Sequence, residues 1–352
     1  MSRTVKLADG SAVMIKITDD AGVTQTVEAK LNDHFERIVD QSSGKLTDSD
    51  GLFFQRQLEA IEAETYDILY PDLEARECFV VNTFGGPAAR ALTYRSYDRV
   101  GKAQVINARA IDLPKSDISG KEFSITVRSI GCMYDWDIDE VAAANMTGMP
   151  LEARKSMAAR RGYEEYVNRT SWLGDENAGL LGFFSAANNV RKQSVVNGAA
   201  GSTNWNQKTP DEIIADLNHA CSEMFAGTLK IHRPAELWLP VRLWNYIRST
   251  PRSPLSDTTI LSYFLANNEF ITDKSSVKPL NVLDGAIDEG DHFIILNKTT
   301  PEGRQTVRLR EPLPLQFQPV QLHGMVYEVP GRGRFAGVEV TYPRAMEIWY
   351  GI

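Results

Sequence analysis

The first fifty residues constrain this chain more than any other segment. They read as short strands, Val5 to Leu7, Ala12 to Ile17 after an Asp9-Gly10 turn, and Val23 to Ala29 after another polar turn. They hold too little apolar mass for a core. A segment of this kind gains stability only by lying on something larger. Residues 1–50 are therefore expected to form an extended arm, laid on the chain's own body or on a neighbouring subunit.

The rest of the 352 residues can bury one elaborate core or two compact ones, with 43% hydrophobic residues. Apolar residues from Leu52 to Leu69 fall at helical intervals until Pro71. The pattern between Arg76 and Asp135 is β, with strands expected at Cys78 to Val81, Leu92 to Tyr94, Ala103 to Ile106 and the alternating Phe123, Ile125 and Val127. Asp112 to Lys121 (DLPKSDISGK) has the composition of a solvated hairpin.

Asp137 and Asp139 precede a short helix from Val141 to Asn145, and Pro150 opens a longer one to Leu173. Met157, Tyr163, Tyr166, Val167, Thr170 and Leu173 make its expected apolar stripe. After the loop GDENAG, the polar run Asn188 to Gln207 marks a boundary between two lobes. Thr209-Pro210-Asp211-Glu212 is a capping box, followed by Ile213, Ile214, Leu217, Ala220, Cys221, Met224 and Phe225 at helical spacing. A strand at Ala235 to Leu239 and helices at Pro240 to Ile247 and Asp257 to Leu265 follow, the last capped by Asp257. The remaining strands are expected at His292 to Leu296, Thr306 to Leu309, Leu315 to Phe317, Met325 to Val329, Phe335 to Thr341 and Ala345 to Tyr350. The class is α+β.

Net charge is −8 with Lys and Arg dispersed, which leaves only loose contact with nucleic acid. No apolar run reaches the roughly 18 residues of a membrane span, and MSRTVKLADG has no signal-peptide core, so a cytoplasmic product is expected. Cys78, Cys132 and Cys221 are read as reduced, buried core residues, and the five histidines show no metal-ligand spacing. The acidic group Asp135, Asp137, Asp139 and Glu140 suits helix capping better than a cation site. Gly85-Gly86-Pro87 reads as a turn, and so does Pro330-Gly331-Arg332-Gly333-Arg334, whose Arg332 and Arg334 would pair with acidic residues of a neighbour. The tryptophans, Trp172, Trp238, Trp244 and Trp349 among them, fall inside periodic elements as core residues do. No nucleophile elbow, phosphate loop or dinucleotide fingerprint occurs in its required context.

This order of elements resembles the capsid subunit of tailed bacteriophages, the Hong Kong 97-type fold. LPKSDISGKEFSITVRSIG leading into Trp136-Asp137-Ile138 is similar to the family's E-loop return strand and spine helix. YVNRTSWLGDENAGLLGFF is similar to the helix end and its Gly-Asp loop, and GRFAGVEVTYPRAMEIWYGI to the terminal peripheral-domain strands. The resemblance implies an N-arm at 1–50, a helix and first strand of the peripheral domain at 51–84, an E-loop at 85–123, the peripheral domain with its spine helix at 124–207, an axial domain at 208–322 and terminal strands at 323–352. It implies a non-enzymatic major capsid protein that assembles with itself into hexamers and pentamers of an icosahedral head around double-stranded DNA, built in the host cytoplasm, without cofactor or membrane.

Portal, scaffolding or decoration proteins are possible partners. Some relatives carry a helical scaffold ahead of the arm; here the start is strand-like, so scaffolding is expected from a separate protein or not at all. Lys102, Lys115, Asp117, Lys121, Arg332 and Arg334 are the candidate inter-subunit contacts. The three lysines are either cross-linking residues, as in some relatives, or ordinary solvated side chains. An encapsulin-like nanocompartment shell and a cytoplasmic α+β enzyme are the alternatives.

Overall fold

The computed structural model describes residues 70–352 apart from 104, 106–114, 149, 256 and 285–290, together with three strands near the N-terminus. The helix expected from Leu52 to Leu69 lies outside the described residues. Two units are distinguished, residues 1–70 and 71–352.

In the first unit β1 (Val5–Ala8), β2 (Ala12–Thr18) and β3 (Thr24–Lys30) form an antiparallel meander. Val5 pairs with Ile15, and Ile15 with Val27. The three strands thus find backbone partners in one another.

The second unit begins with α1 (Ala75–Cys78), β4 (Val80–Asn82), β5 (Ala91–Val100), β6 (Asp117–Thr126) and β7 (Arg128–Asp137). Next come α2 (Ile138–Thr147), α3 (Leu151–Leu173), β8 (Arg191–Ser194), α4 (Pro210–Gly227), β9 (Glu236–Pro240), α5 (Val241–Ser249) and α6 (Ile260–Asn267). The chain ends in β10 (Val277–Leu280), β11 (His292–Leu296), β12 (Val307–Arg310), β13 (Leu313–Phe317), β14 (Gln321–His323), β15 (Val326–Phe335), β16 (Gly337–Val340) and β17 (Met346–Tyr350).

One mixed sheet organises this unit, in the order β10-β9-β11-β17-β8. Its three central strands β9, β11 and β17 are largely apolar runs because both of their faces are covered. Leu237, Leu239, Phe293, Ile295 and Trp349 face a core made with α4, α5 and α6. The intervening Trp238, Ile294, Leu296, Met346 and Ile348 face a second core with Phe79, Tyr163, Trp172, Phe183 and Phe335. Successive side chains of a strand point to opposite faces, so one sheet serves two cores. The polar stretch 188–207 supplies the edge strand β8 and two buried anchors, Val195 and Trp205.

Helix ends follow the capping residues. Asp137 caps α2 by accepting from the Glu140 N–H at 2.6 Å while the Glu140 carboxylate accepts from the Asp137 N–H, and Thr209 and Glu212 make the same box on α4. Every expected core position of α4 is buried except Phe225, which stacks half-buried on Phe270. The cap of α6 is Thr259, not Asp257, because Thr259 bridges Pro251 in extended conformation and accepts from the Ser262 N–H. The α3 stripe holds only in part. Tyr163, Val167 and Thr170 are buried, but Met157 before them and Leu173 at the C-terminal end are exposed.

Other differences are local. The expected strand at Cys78 begins only at Val80, after the helical turn α1. Ala103 and Val105 lie outside any strand, and after the loop GDENAG the chain returns to the core through Leu180 and Phe183.

The largest correction concerns PGRGR, which is no turn. It lies inside β15, a ten-residue strand paired with β7 from Val326 opposite Asp137 to Phe335 opposite Arg128. The glycines are there for close approach, a normal use of glycine within a strand. A Cβ at Gly331 would stand 2.8 Å from the Phe317 ring, and one at Gly333 would collide with the Tyr163 hydroxyl. Gly333→Ala is therefore expected to cost about 2 to 3 kcal/mol by overpacking. Gly162→Ala, in α3 with open space around it, is expected to gain about 0.5 to 1 kcal/mol. Urea unfolding of both variants checks the pair, and equal effects would refute the close-packing explanation.

Candidate assembly interface

The hairpin β5–β6 pairs residue for residue from Ala91 opposite Thr126 to Val100 opposite Asp117. Only its root is packed, through Leu92, Ile125, Val127 and the buried Ala336. Beyond the root the side chains are open. Tyr97 is 65% exposed and Ile118 64%, although both are large and apolar. An isolated two-stranded ribbon is marginal in water, so this one carries its shape outward from a fixed root and awaits a covering surface.

Several bonds fix that root. Arg310 pairs with the buried Glu339 and donates to the Asn82 side chain, and the Glu311 N–H donates to the Asn82 carbonyl. Arg334 donates to the Pro87 carbonyl at 2.6 Å, and the Val127 N–H to the Arg90 carbonyl. Gly85, in the left-handed region at φ 121°, begins the turn that leads into β5.

Behind the root lies a buried polar knot. Arg76 forks onto Glu311 at 2.7 and 3.0 Å and reaches Glu164 at 2.6 Å, while the Tyr163 hydroxyl donates to Glu311 at 3.1 Å. Glu311 is 1% exposed, so its charge depends wholly on these partners. The Glu311 hydrogen bond holds the Arg76 guanidinium more firmly protonated, and burial pushes the Tyr163 phenol up. Sequence reading missed this knot. Its one trace is charge inside an apolar run, Arg308 to Pro314 (RLREPLP).

The Gly-Asp loop is similarly ordered. Asp175 accepts from the Ala178 N–H at 3.1 Å and from the Tyr166 hydroxyl at 2.9 Å, and these bonds lower its carboxyl. Burial pushes the Cys78 and Cys221 thiols up to about 12, which keeps them protonated as core residues. Cys132 is only half-buried, unlike the expectation.

The expected contact residues separate into two groups. Lys102, Lys115, Asp117 and Lys121 are exposed on or beside the hairpin, and Arg332 is exposed on β15. Arg334 shares a face of β15 with the exposed Arg332 but lies two residues nearer the hairpin root, where it is 8% exposed and donates to the Pro87 carbonyl of its own chain. Of the acidic group Asp135, Asp137, Asp139 and Glu140, Asp137 and Glu140 form the N-terminal cap of α2, Asp139 lies in its first turn, and Lys155 pairs with Glu140 at 2.6 Å. Trp172, Trp238 and Trp349 are core residues, as expected, and Trp244 is partly buried against the same packing. Among the described residues no group of three or more metal-ligating side chains occurs, and no helix is long and apolar enough to cross a membrane.

This architecture, a rooted hairpin and long helix beside a two-sided sheet, is that of tailed-phage capsids. The capsid of the Myoviridae phage XM1 matches with a TM-score of 0.70 at 18% identity, over 86% of this chain and all of that one. A capsid chain of the native GTA particle matches at 0.58 and 10% identity, over 87% and 99%. A structure of Mycobacterium phage Ogopogo matches at 0.53 and 10%, over 84% and 97%. A search of curated proteins finds no sequence match. The family model described as major capsid protein matches residues 101–352. The chain belongs to the major capsid protein family, and its fold is of the Hong Kong 97 type. Neither the nanocompartment nor the enzyme alternative draws support from these matches.

Glu311→Ala tests the knot. It leaves Arg76 with Glu164 alone and takes the acceptor from the buried Tyr163 hydroxyl, and is expected to cost about 2 kcal/mol. Arg95→Ala, which breaks the exposed bridge to Glu122 at 2.6 Å, is expected to leave the unfolding midpoint unchanged. Denaturant titration of both checks this, and a negligible cost at Glu311 would contradict the structural role of the knot.

Proposed function

We propose that copies of this capsid protein associate as hexamers and pentamers into an icosahedral head that encloses double-stranded DNA, without catalysing a reaction. The observation that carries this reading is the hairpin, whose rigid root and bare apolar flanks suit a lever laid across an adjacent copy. The arm at residues 1–50 would act in the same way. Residues 85–123 serve as the E-loop, 124–207 with 51–84 and 323–352 as the peripheral domain, and 208–322 as the axial domain turned toward the capsomer's symmetry axis.

The dispersed charge, net −8, supports a lining that touches packaged DNA loosely, so that the genome slides during filling. Assembly takes place in the host cytoplasm, with portal, scaffolding or decoration proteins as further partners. Lys102, Lys115, Asp117, Lys121 and Arg332 form contacts between copies.

The test is sedimentation and negative-stain electron microscopy of the full chain beside a variant with residues 96–121 replaced by Asn-Gly. The parent is expected to give capsomers or closed particles. The truncated chain is expected to keep its circular dichroism and stay unassembled. Assembly of the truncated chain to the parent's extent would overturn the hairpin's role, and a parent that stays monomeric at all concentrations would overturn the shell.

A further inference from the structure

Two surface features of the single chain lack a covering, and they complement each other. The first is α2. Helices of ten residues draw their stability mainly from a packed face, yet among the described residues α2 buries none of its side chains. Its capping box and the Lys155–Glu140 bridge hold it. Asp139, Ala143 and Met146 stand at i, i+4 and i+7 on one exposed stripe, with Met146 88% exposed. The stripe is acidic at one end, apolar at the other and small in the middle, which permits close approach.

The second feature is a groove of about 1010 Å³ between the hairpin and the body. Its hairpin wall presents Tyr94 stacked on Phe123, with ring centroids 5.1 Å apart. Its body wall presents Arg304, exposed and bridged to the equally exposed Glu302 at 3.5 Å, and Arg308. An exposed bridge of this kind holds weakly and exchanges readily for another carboxylate, so the groove is suited to a carboxylate at one side and an apolar side chain at the other.

The two features cannot meet within one chain. The helix α2 continues from β7 at Asp137, whereas the hairpin root adjoins the opposite end of β7 at Arg128. Ten strand residues at about 3.3 Å each hold them roughly 30 Å apart. A contact between different patches on two copies is heterologous, and such contacts build rings where the rotation between copies closes.

We infer that α2 of one subunit seats in the hairpin groove of the next, with Asp139 against Arg304 and Arg308 and Met146 on the Tyr94–Phe123 pair. The inference rests on the shell-forming reading above and names the copy-to-copy contact within it. Charge complementarity sets the register, and sulfur–aromatic contact adds to the burial.

Charge exchange in the full chain tests it. Asp139→Arg and Arg304→Glu are each expected to lower the assembled fraction about tenfold by placing like charges together, and the double variant to restore it to within about twofold of the parent. In a parallel measurement Asp139→Cys with Arg304→Cys is expected to give covalent ladders from assembled material treated with a short bismaleimide, which spans the Cα separation of an Asp–Arg pair where a disulfide does not, with the parent chain giving none. Single reversals that assemble normally, a double variant that is not rescued, or particles that form without ladders would each overturn the contact while leaving the shell reading standing. Should a charge variant misfold by circular dichroism, the ladder decides. A parent that never assembles overturns the shell reading, and the contact falls with it.

Discussion

Two-sided burial of one five-stranded sheet is the constraint on which the rest of this subunit depends. Its central strands β9, β11 and β17 alternate their residues between the core under α4, α5 and α6 and the core under α3. A one-residue slip in β9, β11 or β17 would exchange the two cores' residues, Trp238 for Leu237 and Ile294 for Phe293, and neither set would fit the other's cavity. The register is therefore fixed from both sides. That rigidity is what lets the subunit hold elements out into solvent that have little packing of their own.

Those elements are tied to the rigid part by buried charge. Arg76, Glu164, Glu311 and Tyr163 join α1 and α3 to the link between β12 and β13, and Arg310 with Glu339 joins that link to β4 and β16. A buried ion pair is a poor source of net stability, since desolvation offsets most of its attraction. Its strict geometry is a good source of position. At the hairpin root it sets the direction in which twenty paired residues leave the body.

Much of this was legible in the sequence because it is local. The box Thr209-Pro210-Asp211-Glu212 located the start of α4 to the residue, since capping depends on neighbours within one turn, and Asp137 and Asp139 announced a helix that was expected at Val141 to Asn145 and spans Ile138–Thr147. HFIIL and AMEIWY read as strands from their composition. Features set by distant partners were not legible. PGRGR has turn composition, yet its glycines answer to Phe317 and Tyr163, and its strand conformation to ten paired residues of β7. Asp257 stands where a cap is expected, but the bridge from Pro251 makes Thr259 the cap. The knot at Glu311 joins residues up to 235 positions apart, a relation that no window of sequence contains. Arg334 looked like a surface residue for the same reason, because its cover comes from Pro87, 247 positions away.

Hydrogen exchange on the unassembled chain and on its assembled particles tests the central claim most directly, that a rigid core carries surfaces which only other copies cover. The account predicts strong new protection on assembly at residues 117–126 and 138–147. It predicts no change at 236–240, 292–296 and 346–350, which are already fully protected in the free subunit. Protection gained chiefly in that central sheet, with the hairpin and α2 unchanged, would contradict it and place the assembly surface elsewhere.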